Sequence, residues 1–390
     1  MFDFSQTVDR HGTWCTQWDY VEDRFGAPDL LPFTISDMDF ATAPCVLEAV
    51  AKRLDHGVLG YSRWKNDDFL SAVTHWYQRR FACRMDAQTL VYGPSVIYMV
   101  SQLIRQWSAP GEGVLIHTPA YDAFFKAISG NDRQVLTAPL RSVEGGWEYD
   151  EQAFEAQLAR PDCKILLLCS PHNPTGKVWS RAELAAMAAL CEKHGVRVIS
   201  DEIHMDMVWG NTVHTPWSEV GGERWALLTS ASKSFNIPAL TGAYGFIPDA
   251  QERETYLSAL KGRDGLSSPA VLSLVAHIAA YRHGEPWLDA LRHYLEGNLR
   301  FVAEQLNGAF AQLNWQPPEA TYLAWLDLRP LALDDRQLQK ALIEQEKVAI
   351  MPGYTYGDEG LGYLRLNVGC PRAKVKDGVA RLIRAISRQL

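Results

Sequence analysis

Long apolar runs are missing from this 390-residue sequence. No stretch approaches the ~20 consecutive apolar residues of a membrane span, and the opening MFDFSQTVDRHG, with two acids, has no signal-peptide core. Paired cysteines are missing too. Cys15, Cys45, Cys83, Cys163, Cys169, Cys191 and Cys370 form no C-x-x-C pair and no Cys/His group at metal-ligand spacing. Their odd number and scatter exclude a disulfide framework, give no metal site, and fit reduced thiols in a cytoplasmic protein. Basic clusters are also absent: net charge is −8, and no Lys/Arg stripe is dense enough to track nucleic acid. Low-complexity linkers and internal repeats do not occur. What remains is 47% hydrophobic and 22% charged, an ordinary globular balance in a chain too long for one core, so two domains are expected.

Between about residues 90 and 290, short apolar runs alternate with helical patterns, which predicts a mostly parallel sheet covered on both faces. Leu90–Ser95 reads as a strand and turn leading into a helix from Val96 to Trp107, whose first amides offer an anion site. Val114–Thr118 is a strand ending near Tyr121, a residue able to lie over a planar ring. Cys163–Ser170 is a continuous apolar run, typical of a parallel strand buried on both faces, and it delivers Asn173 between two prolines. Val196–Ser200 delivers Asp201 and His204. Trp225–Ser230 delivers Lys233, and Ala243–Ile247 extends the series. Leu257–Ser268 reads as a helix and turn, Pro269–His283 as a helix, and a long helix follows from Pro286 towards Phe310. A capped helix is expected over Ser180–His194. The last ~80 residues change character: Tyr322–Leu328 alternates like a strand with one solvated face, and Tyr363–Val368 carries Arg365. Asp37 and Asp39, inside the run Ile35–Phe40, read as capping and turn residues.

The stretch LLTSASKSFNIPALT places three serines, Ser230, Ser232 and Ser234, around Lys233. On that segment alone a solvated lysine in a serine-rich loop fits as well as a desolvated amine able to form a Schiff base with a carbonyl. The other strand tips favour the second reading. Pyridoxal phosphate needs an amine for its aldehyde, a carboxylate for its ring nitrogen, a donor for its ring hydroxyl, an aromatic face and an anion site, and its substrate needs an arginine.

Asn173-Pro-x-Gly176, Asp201-x-x-His204 and Ser230-x-Ser-Lys233, with Asp201 32 residues before the lysine, resemble the fold-type I aminotransferase superfamily. Ser36-Asp-Met-Asp-Phe40, Gly60-Tyr61, Tyr92-Gly-Pro-Ser95 and Lys233-Ser-Phe-Asn236 are similar to its cystathionine β-lyase branch. The resemblance implies a large α/β domain over 49–287 that binds pyridoxal 5'-phosphate, and a discontinuous small α+β domain over 1–48 and 288–390. It implies that Lys233 carries the cofactor and moves the α-proton, Asp201 pairs with the ring nitrogen, Asn173 donates to the ring hydroxyl and Tyr121 stacks. His204 stands where many aminotransferases have tyrosine. Ser95, the amides of Val96 and Ile97, Ser230 and Ser232 hold the phosphate, with Tyr61 from the neighbouring subunit of a homodimer; Arg365 grips the substrate carboxylate. Thr241 replaces the arginine that aspartate-type aminotransferases place eight residues after the lysine. The branch implies β-elimination from cystathionine, with cysteine and related thioethers as further substrates; a narrower resemblance over the whole chain, to maltose-regulon modulators within that branch, implies contact with MalT, the activator of the maltose system, without touching DNA. Residues alone leave elimination and transamination, as in a class I/II aminotransferase, equally open.

Overall fold

The computed structural model describes residues 2–390. Its larger sheet has eight strands in the order Leu90–Gly93, Ala243–Phe246, Trp225–Thr229, Arg197–Asp201, Cys163–Cys169, Gly113–Thr118, Gln134–Val143 and Gly146–Tyr149. The five strands from Trp225–Thr229 to Gln134–Val143 are mutually parallel. The middle of the sheet is buried, as the continuous apolar runs require: Ile165, Leu166, Leu167 and Leu168 are all enclosed.

Ala243–Phe246 departs from the expected series, because it runs antiparallel to both neighbours. A four-residue strand has no sequence mark of direction, which only the connection through Pro238–Leu240 decides. The hairpin of Gln134–Val143 and Gly146–Tyr149 was not legible either. Its first strand is largely exposed and lies towards the sheet edge, so it lacks an apolar run; Gly145 and Gly146, at φ of 87° and 155°, make the turn. The helix expected at Leu257–Ser268 begins earlier, at Ala250, where Asp249 accepts from the Glu252 amide, and passes into a π turn at Ala259–Arg263. Ser180 caps Arg181–His194 in a reciprocal capping box with Glu183.

The second sheet has four strands in the order Leu31–Phe33, Val348–Pro352, Tyr363–Asn367 and Leu323–Asp327. Helices Asp335–Glu344 and Arg372–Ser387 pack on it. The solvated face expected for Tyr322–Leu328 does not exist, since Leu323 to Leu326 are all buried. Ala324 and Leu326 join the main core, while Trp325 on the other face stacks on Tyr363 at 4.9 Å, with Trp147 of the hairpin packed against that cluster. Bulky rings, rather than polar side chains, cover that face. Among the described residues no helix is long and apolar enough to cross a membrane.

Helix Glu285–Ala309 carries a fully buried asparagine, Asn298, which donates to the Val368 and Cys370 carbonyls at 3.0 and 2.9 Å and accepts from Arg372 Nε at 2.7 Å. It fastens the segment after Tyr363–Asn367 to the long helix. Asn298→Ala strands both carbonyls, and urea unfolding is expected to show a loss of about 2–4 kcal/mol; a loss below about 0.5 kcal/mol contradicts this role.

Candidate active site

Three adjacent parallel strands end at one sheet edge, with Cys169 in register with Asp201 and Asp201 with Leu228. The turns that follow carry Asn173, His204 and Lys233 to a cavity of about 220 Å³. Ser95, Val96, Ile97, Tyr121, Asp201, Ser230 and Ser232 line the same cavity. It lies at the carboxyl edge of the parallel strands, where open α/β sheets keep their ligands.

Lys233 is half-buried, its amine donating to the Ser36 carbonyl and to Ser36 Oγ, each at 2.9 Å. Burial lowers its pKa to about 8; Asp37 opposes the shift, Arg365 adds to it and Asp201 opposes. Ser36 was not among the expected site residues. Its carbonyl also accepts from the Tyr322 hydroxyl at 2.8 Å, and Asn367 Nδ2 donates to the flanking carbonyls of Ile35 and Asp37 at 2.5 and 2.8 Å. Asn236, three residues after the lysine, takes the Met38 amide and donates to the Met38 and Phe40 carbonyls. The segment is therefore clamped from both sheets. Only the polar residues inside Ile35–Phe40 hinted at this, since every partner is distant in the chain.

Asp37 and Asp39 do not cap a helix. Arg10 bridges them at 2.6 and 2.9 Å, and Lys374 meets Asp39 at 2.5 Å. They tie the N-terminal segment to the final helix, behind the stretch that carries Ser36.

Asp201 is buried, and its carboxyl accepts from the Ile203 amide at 3.1 Å. Burial raises its pKa to about 7, against the backbone bond and the charge of Lys233. His204 is buried as well, its pKa lowered to about 3 by burial and then by Lys233 and Arg365, so the imidazole is neutral; its Nδ1 has no partner. Asn173 accepts from Arg365 Nη1 at 3.1 Å. Arg365 is 3% exposed, donates to the Thr34 carbonyl at 2.9 Å and lies 4.8 Å over the Tyr356 ring. Among the described residues it has no carboxylate within ion-pair distance, and its Nε is unpartnered. A buried cation without an anion is costly unless a ligand supplies one.

Ser95 is the N-cap of Val96–Trp107, its Oγ accepting from the Tyr98 amide at 3.1 Å. Ser230 Oγ donates to the Gly242 carbonyl at 2.7 Å and accepts from the Ser232 amide at 3.1 Å. Thr241, at a φ of 40°, lines the cavity beside them, as do Cys169, Ile203 and Pro238. Tyr61 is not brought in: it is 99% exposed and lies outside its own chain's cavity.

The family model for aminotransferase class I and II matches residues 28–382. Protein MalY of Escherichia coli (strain K12) is 70% identical over 386 residues, covering 99% of each chain. Cystathionine beta-lyase PatB of Bacillus subtilis (strain 168) is 34% identical, over 98% of this chain and 100% of that one. Among solved structures, the PLP-bound C-S lyase of Staphylococcus hominis superposes with a TM-score of 0.93 at 28% identity, over 99% of this chain and 98% of that chain. Cystalysin of Treponema denticola, which contains a pyridoxal 5'-phosphate cofactor, does so with a TM-score of 0.93 at 28% identity, over 100% and 99%. The chain belongs to the aminotransferase class I and II family and has the fold-type I architecture.

Proposed function

We propose that this chain is a pyridoxal-phosphate-dependent carbon–sulfur β-lyase that cleaves L-cystathionine to homocysteine, pyruvate and ammonia. The gathering of Lys233, Asp201 and, through Asn173, an arginine without an anion, Arg365, carries the cofactor reading, and the likeness to Cystathionine beta-lyase PatB at 34% identity favours elimination over transamination. The residues fit the cofactor. A buried carboxylate held near 7 is suited to a cationic ring nitrogen, and neutral His204 has an unpartnered nitrogen. The first amides of Val96–Trp107 and the Ser95, Ser230 and Ser232 hydroxyls suit a phosphate. When bound, the cofactor draws electrons from the substrate's α-carbon and so acidifies its proton.

The chain's own residues do the rest. Arg365 binds the α-carboxylate through its fork, with Asn173 fixing one arm of the guanidinium. Tyr121, which lines the cavity, would cover one face of the cofactor ring. Lys233 would hold the cofactor and then take the α-proton; a pKa lowered to about 8 leaves far more of its amine neutral at working pH than an ordinary lysine has, which favours a general base. Proton loss is followed by departure of the thiolate from Cβ. Water then completes the breakdown to pyruvate and ammonia.

The working unit is a homodimer in this reading. Tyr61, Val58 and Leu59 project from one exposed loop, and Leu47 and Leu54 of helix Pro44–Asp55 are also exposed. Exposed apolar side chains of this kind support a covered interface, which would carry Tyr61 to the partner's phosphate. The proposal includes a second role, in which the protein holds the activator MalT inactive in the cytoplasm by protein contact alone, and the 70% identity to Protein MalY supports that reading. The two-domain division, 1–48 with 288–390 against 49–287, belongs to the same reading, each part built on its own sheet.

Purified protein given L-cystathionine is expected to release pyruvate without exchanging its amino group with keto acids; exchange without release makes it an aminotransferase. Lys233→Ala loses pyruvate release and keeps any effect on MalT, and loss of both overturns their separation. A second expectation comes from pH. Burial raises Asp201 from 3.8 to about 7, so the folded cofactor-free protein binds that proton more tightly than the unfolded chain. Stability is therefore lost as pH rises between those values. Cofactor-free Asp201→Asn should exceed the unmodified protein by up to about 4 kcal/mol near pH 8, and the difference should vanish near pH 4. An equal difference at both pH values contradicts the assignment.

A further inference from the structure

One pair of opposite charges near the cavity is left unfinished. Arg24, on the short helix Val21–Phe25, places Nη2 3.6 Å from Asp122 Oδ2, longer than a hydrogen bond. Its Nη1 meets only the sulfur of Met351, at 3.7 Å. Among the described residues this guanidinium has no oxygen partner at hydrogen-bond distance. Asp122 gives the same Oδ2 to Lys126 at 2.8 Å, and its Oδ1 accepts nothing among the described residues. Side-chain exposures of 43% for Arg24 and 20% for Asp122 leave both open to a ligand. A surface pair at this separation adds little to stability, so parting it costs little.

The pair adjoins the cavity by two routes. Asp122 follows Tyr121, which lines it. Met351 stands opposite Arg365 on the neighbouring strand, so the two side chains share one face of the small sheet. Met351 also packs in one cluster with Tyr356, beneath Arg365, and with Phe25, next to Arg24. The Tyr121 phenol senses both charges: burial raises its pKa most, Asp122 raises it further, and Arg365 and Arg24 oppose.

We infer that Arg24 and Asp122 form a subsite for the far end of a two-ended thioether, Arg24 taking its second carboxylate and Asp122 its second ammonium. The inference rests on the lyase reading of the Lys233 site and narrows its substrate class to thioethers with an α-amino-acid group at each end. Such a group carries both charges on one carbon and meets a guanidinium and a carboxylate placed side by side. Each contact is a charge-assisted hydrogen bond, available to cystathionine and not to S-methyl-L-cysteine.

The test compares pyruvate release from L-cystathionine, S-(2-carboxyethyl)-L-cysteine, S-(2-aminoethyl)-L-cysteine and S-methyl-L-cysteine. Relative to S-methyl-L-cysteine, Arg24→Gln should lower kcat/KM for cystathionine and the carboxyethyl compound by about tenfold or more, and Asp122→Asn should do so for cystathionine and the aminoethyl compound. Calorimetric binding of cystathionine to Lys233→Ala protein, where no turnover occurs, should weaken with Arg24→Gln in the same proportion. Pyruvate release with flat ratios across the four compounds overturns the subsite alone. No pyruvate from any thioether with the unmodified protein overturns the lyase reading and the subsite with it.

Discussion

The contact between the Lys233 amine and Ser36 is the interaction on which the rest of the site depends. It crosses from the tip of a large-sheet strand to a segment that Tyr322, Asn367 and Arg365 fix to the small sheet. Asn236 fastens the same segment from the lysine's own loop. Both sheets thereby determine where one amine rests. A shift of either moves the amine relative to Asp201 and Arg365.

That arrangement opposes stability. Asp201, Lys233 and Arg365 are ionisable groups enclosed together, yet none forms an ion pair with another. Protein interiors pair or neutralise such groups, because an isolated buried charge is expensive. Here the carboxyl drifts up to about 7 and the amine down to about 8. Each lies close to the pH at which proton transfer is easiest. An arrangement of this kind is expected where a ligand brings the missing partners: a ring cation for Asp201, a carboxylate for Arg365 and an aldehyde for the amine to condense with. The Arg10, Asp37, Asp39 and Lys374 network stands in contrast, since its charges are mutually satisfied and it serves to hold the Ser36 segment in place.

Much of this was legible because parallel strands write themselves as apolar runs and put their next polar residues at one edge. Asn173 and Lys233 follow Cys163–Cys169 and Trp225–Thr229 in that manner, and Asp201 ends Arg197–Asp201. Arg365 was placed by the family resemblance, since an arginine in a strand reads by itself as a salt-bridge partner at the sheet edge. Other features had no local mark. Ser36 is an ordinary serine until Tyr322 and Lys233 reach it across more than half the chain. The hairpin Gln134–Tyr149 alternates without an apolar run, and the strand Ala243–Phe246 has a direction that four residues cannot encode. Trp325 read as part of a strand with one solvated face because sequence does not tell that Tyr363 and another aromatic layer will cover that face.

The central claim is that burial beside Ser36, Asp201 and Arg365 makes the Lys233 amine a base near neutral pH. Its direct measurement is an NMR titration of the lysine ε-carbons in cofactor-free protein, with Lys233→Ala identifying the signal. A midpoint near 8, against the ordinary 10.5, is the result this account predicts. A midpoint close to 10.5 would contradict it, because the amine would then be no more available as a base than a fully solvated lysine.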